Sequence, residues 1–155
     1  MRDMHILING EVLTLSINTN TIKRVGLNKE VLQLEDGIIN ISVTESIIII
    51  VTEDPDFRNC LNQVDFVKPY NIKKNNINAY DWDGNYLWNI SDIVGEVNMA
   101  FSGGCVSSIS KLSNYYGFDQ QKYNADSEIY VCTAGGRMYV IDLKEKKVVQ
   151  ILPSN

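Results

Sequence analysis

Apolar and polar positions alternate along this chain in short runs, and the runs are broken by clusters of Gly, Asn, Asp and Ser. Successive side chains of a strand point to opposite faces, so alternation with a period of two marks a strand with one buried face. The pattern predicts strands at 4–8, 11–17, 21–26, 30–34, 37–43, 46–52, 63–68, 76–82, 85–90, 93–101, 128–134, 136–143 and 146–152. One run does not alternate. Ile47-Ile48-Ile49-Ile50-Val51 is continuously aliphatic, which predicts a central strand buried on both faces. Helical periodicity is not sustained anywhere. The best helical candidate, 105–116, is rich in serine and reads equally as a short helix or an irregular loop, and 113–127 reads as a long polar loop with aromatic interruptions. The fold class expected is therefore all-β: antiparallel sheets from repeated hairpins, propeller-blade-like or a compact sandwich or barrel, with at most one or two short helices. Residues 1–155 read as a single β-rich domain, since no Pro- and Gly-rich linker divides them.

Internal repetition sharpens this picture. Asn9-Gly10-Glu11-Val12-Leu13-Thr14-Leu15-Ser16-Ile17 overlays Gly135-Gly136-Arg137-Met138-Tyr139-Val140-Ile141-Asp142-Leu143 at an offset of 126 (142 − 16). A further copy, from Ile77 to Trp88, overlays the last at an offset of 61 (142 − 81). In the middle copy, Ala79-Tyr80-Asp81-Trp82-Asp83-Gly84-Asn85-Tyr86-Leu87-Trp88 combines an aspartate, a glycine turn and a closing tryptophan. An aspartate there can accept hydrogen bonds from the turn, glycine can take the positive φ of a tight hairpin, and tryptophan can pack between sheets.

That segment resembles the blade signature of quinoprotein-type (PQQ-like) β-propellers, and the strand–glycine-turn–strand over 128–143 is similar to the unit that precedes it. The match departs from the family pattern in places. The middle signature is one residue short between Asp81 and Trp88, Lys146 stands near the expected glycine of the last copy, and Ser16 replaces the aspartate of the first. The resemblance implies a fold and no quinone cofactor, which would need a complete ring of blades. The predicted strands supply about three blades of four, and a ring of three does not close easily, so sheet edges must be covered, charged or paired.

Charge and chemistry narrow the functions. The formal net charge of −5 offers no basic face for phosphate, so nucleic acid is not an expected partner; the short basic run Lys144-Glu145-Lys146-Lys147 falls at a turn. No run approaches the length of a membrane span. Three widely spaced cysteines, Cys60, Cys105 and Cys132, suit reduced thiols, and with no signal-peptide core this places the protein in the cytoplasm. His5 is the only histidine and has no nucleophile beside it in sequence. Ser102-Gly103-Gly104-Cys105 lacks the lysine of a phosphate loop. Asp81, Asp83 and Asn85 begin like a calcium loop, yet Tyr86 stands where its glycine belongs. Glu53-Asp54-Pro55-Asp56 reads as a solvated turn. No enzyme, metal or cofactor is expected. The remaining candidates are aromatic: Tyr115, Tyr116, Phe118 and Tyr123 lie in the polar loop, where they can anchor a partner or fold back over a sheet. The function expected is a non-catalytic protein-interaction module (a small acidic binding protein, an inhibitor or immunity-type protein, or an assembly subunit) whose partner is another protein or a second copy. The alternative is a small-ligand or carbohydrate binder using 113–127.

Overall fold

The computed structural model describes residues 2–8, 10–27, 29–53, 74–124 and 126–154. Its strands form three four-stranded antiparallel sheets, each a meander of strands consecutive in the chain. The first contains β1 (Arg2–Ile8), β2 (Glu11–Ile17), β3 (Thr21–Arg24) and β4 (Lys29–Gln33). The second contains β5 (Gly37–Val43), β6 (Ile47–Glu53), β7 (Ile77–Asp81) and β8 (Tyr86–Asn89). The third contains β9 (Gly103–Ser107), β10 (Ile129–Ala134), β11 (Arg137–Asp142) and β12 (Lys147–Pro153). Among the described residues two one-turn helices, α1 (Ser91–Val94) and α2 (Ile109–Leu112), and a 3-10 turn (Gln120–Lys122) accompany the strands of this all-β fold.

The sheets stack face to face with the second in the middle. Alternate residues of β6 serve two cores. Ile48 and Ile50 pack with Leu15, Ile17, Ile22 and Leu32 of the first sheet. Ile49 and Val51 pack with Tyr130, Cys132, Tyr139 and Ile141 of the third. β6 lies between β5 and β7 in the ladder, and Ile48 to Thr52 are all buried, as the continuous aliphatic run predicts. At the margin, β5 and β9, the first strands of their sheets, lie together, and the Ser42 hydroxyl donates to the Gly104 carbonyl (3.4 Å).

Two expectations are corrected. No strand forms over 93–101. The Asn89 side chain accepts from the amide (2.9 Å) and hydroxyl (2.7 Å) of Ser91, and Asp92 accepts from the Asn89 amide (3.0 Å). These bonds turn the chain into α1, which ends at Gly95 with φ 76°. Farther on, the buried Asn76 side chain donates to the carbonyls of Thr52 and Phe101 (2.8 Å each) and accepts from the Phe101 amide (2.7 Å). Phe101 is therefore held by a side chain and not by a ladder. The candidate helix 105–116 is divided: 105–107 belong to β9, and only Ile109–Leu112 is helical. The expected strand 63–68 lies outside the described residues.

The turn glycines take the positive φ expected of tight hairpins. Gly84, Gly135 and Gly136 all have positive φ (88°, 59° and 75°). Asp81 and Asp142 both end the third strand of their sheets, so the offset of 61 superposes equivalent positions. Ser16 lies in the second strand of the first sheet, so the offset of 126 matches hairpins from different positions.

Candidate interaction surfaces

The aromatic loop folds over the outer face of the third sheet. That face presents Ile129, Val131, Met138, Val140 and Leu152, and it is covered by Leu112 with Ile109, Phe118 and Tyr123. Phe118 and Tyr123 stack at 5.0 Å between ring centroids. Gln150 of β12 fastens this cap: its Oε1 accepts from the Tyr123 hydroxyl (3.0 Å) and the Asp119 amide (3.2 Å), and its Nε2 donates to the Gly117 carbonyl. Burial, followed by the charge of Asp119, pushes the Tyr123 phenol up to about 12, so its proton stays available for this bond. The four aromatic candidates are thus divided. Phe118 and Tyr123 are half-buried in the cap, whereas Tyr115 and Tyr116 are 48% and 88% exposed on its rim.

Beneath Tyr115 a groove of about 500 Å³ runs between the cap and β9, lined among others by Asn40, Cys105, Ser107, Lys111 and Thr133. Its size is within the range of small-molecule sites. The Asn40 Oδ1 is buried and has no hydrogen-bond partner among the described residues. Cys105 is exposed, while Cys132 is buried, and burial together with the Cys105 charge raises the Cys132 thiol to about 12. Both carry free thiols.

The opposite end of the stack differs. The face of the first sheet turned away from the second carries the Asp3–Ser16–Lys23 row, then His5–Thr14, then Leu7–Val12. His5 Nδ1 lies 2.9 Å from Thr14 Oγ1. Leu7 and Val12 are 64% and 65% exposed, and Val25 and Leu27 are exposed as well. The sequence reading missed Val25 and Leu27 because each is one apolar residue in an ordinary alternation. The signal was there in Leu7 and Val12, which are apolar at positions alternation would make polar.

The aspartates that begin like a calcium loop serve the hairpin turn instead. The Asp81 carboxylate accepts from the amides of Asp83 and Asn85 (2.9 Å each) and from the Asn85 side chain (3.0 Å). These bonds, chiefly those from Asn85, hold its pKa below the ordinary value. Asp142 repeats the arrangement with the amides of Lys144 (2.9 Å) and Glu145 (3.0 Å). Among the described residues no helix is long and apolar enough to cross a membrane. No protein-family model and no curated protein matches the chain.

Proposed function

We propose that this chain is a non-catalytic protein-interaction module of the reducing cytoplasm, working without a cofactor as a small acidic binding protein, inhibitor or assembly subunit. One observation carries the reading: the two ends of the sheet stack are treated differently. The outer face of the third sheet is sealed by the chain's own cap, whereas that of the first exposes Leu7 and Val12, with Val25 and Leu27 exposed in the turn after β3. Stacked repeats finish their ends with polar or covered faces, and clustered exposed apolar side chains mark sites of protein contact. The free thiols of Cys105 and Cys132 fit a reducing compartment.

The test is to cross-link tagged protein in lysate of its own source, identify what is captured, and titrate the purified partner. Leu7→Asp with Val12→Asp should weaken binding at least about tenfold, the loss of about 1.4 kcal/mol. Binding that survives this pair, and also Tyr115→Ala with Tyr116→Ala, would remove both surfaces from the reading.

The groove supports a second reading, a small polar ligand or carbohydrate held beneath Tyr115. It combines an aromatic wall, the Lys111 side chain and the unpartnered acceptor of Asn40. A ligand there should raise the melting temperature, and Lys111→Ala with Tyr115→Ala should abolish the rise.

A further inference from the structure

We infer that β1 is the docking edge for a second copy of this chain, the two strands pairing antiparallel about a two-fold axis at His5. The inference rests on the interaction reading above and names its partner.

Among the described residues three sheets have six edge strands, and five of these lie against another part of the fold. β5 and β9 lie against each other. α1 lies against both β8 and β12. The β7–β8 turn comes so close to β4 that a Cβ on Gly84 would collide with the Val31 carbonyl oxygen. β1 is the sixth edge, and its ladder partner among the described residues is β2. It runs for seven residues without proline, lysine or a register shift, the devices by which edges are usually blunted.

The register says which groups it offers. The Thr14 carbonyl accepts from the Val25 amide (2.9 Å), so the polar backbone groups of Thr14 point toward β3. Its partner across the ladder, His5, must then direct its own N–H and C=O away from β2. By alternation Asp3 and Leu7 do the same. A two-fold axis at His5 places Asp3 opposite Leu7 of the second copy, His5 opposite His5, and Leu7 opposite Asp3, so every outward donor meets an outward acceptor. The axis also keeps the faces in step. Met4 falls beside Ile6 of the second copy on the core side, and the exposed Leu7–Val12 pair continues along the open face. Charge agrees: β1 holds one base and one acid, Arg2 and Asp3, so two chains of net charge −5 meet along a neutral strand.

Sedimentation of the wild-type chain over a concentration series should show a monomer–dimer equilibrium. Hydrogen exchange followed by NMR should show the amides of Asp3, His5 and Leu7 slowing as the dimer fills, while those of Met4 and Ile6 stay protected throughout. His5→Pro removes one outward N–H and leaves the β2 ladder intact, so it should abolish the dimer; His5→Ala should leave it. A wild-type chain that stays monomeric with fast-exchanging Asp3, His5 and Leu7 amides would overturn the inference. So would a His5→Pro dimer. If that monomer still bound another protein through Leu7 and Val12, the interaction reading would stand and only the second copy would fall.

Discussion

Lys146, between β11 and β12, has φ 52°, a region in which the Cβ of an L-residue crowds the carbonyl oxygen that follows it. It is exposed, so its side chain secures no packing in return. Lys146→Gly should therefore stabilise the protein by about 0.5–1 kcal/mol, the relief of strain exceeding the entropy glycine loses on folding. Equilibrium urea unfolding would measure it. Gly84 is the converse case: it combines positive φ with the approach to Val31, so Gly84→Ala should cost at least about 2 kcal/mol. Gly136 has positive φ over open space, and Gly136→Ala should cost only about 1 kcal/mol. Asp142 makes a pH-dependent contribution. Burial would raise its pKa, but the amides of Glu145 and Lys144, the Ser127 hydroxyl and the charge of Lys147 outweigh burial and lower it. A carboxyl with a lowered folded-state pKa stabilises the fold above its unfolded value, near 3.8, and that contribution is lost as pH falls through the folded value. Asp142→Asn should lower the urea midpoint at neutral pH, and the two curves should converge as pH falls below the unfolded value.

At the scale of elements, β6 is the clearest test of burial. Ile49 is fully enclosed, so Ile49→Asp strands a charge with no partner and should leave no folded protein, read as loss of the β signal in circular dichroism. This strand was legible because a run buried on both faces needs no alternation. The hairpins were legible because the Asp83-Gly84 and Gly135-Gly136 turns announce positive φ. What the sequence concealed depends on partners far away in the chain. The Ile93 to Phe101 stretch has strand-like composition, yet Phe101 is captured by Asn76, 25 residues earlier, and α1 is started by the side chain of Asn89. β9 was hidden for the opposite reason: Gly103-Gly104 has little strand propensity. The hydroxyl of Tyr130 occupies the space that a Cβ on Gly104 would fill, so the strand can pass only as glycine. The half of the aromatic loop that folds back, Phe118 and Tyr123, could not be told from the exposed half, Tyr115 and Tyr116, because their separation depends on Gln150 across the chain.

For the molecule as a whole, the two tryptophans report on different cores. Trp88 is buried between the second and third sheets, whereas Trp82 packs at the core shared by the first and second, its indole donating to the Thr44 carbonyl (3.1 Å). Because β6 contributes to both cores, loss of either should remove the other. Fluorescence-detected unfolding of Trp82→Phe and Trp88→Phe should therefore each coincide with that variant's own circular-dichroism transition. Separated transitions within either variant would mean that the first sheet melts by itself.

The meander topology also has a kinetic consequence. Among the described residues every ladder joins successive strands, and no sheet borrows a strand from another. A chain leaving the ribosome can complete the sheet ending at Gln33 before the next has begun, and then fold the second sheet upon it. The cap over the third sheet must wait, because Gln150, which fastens it, lies 27 residues beyond Tyr123.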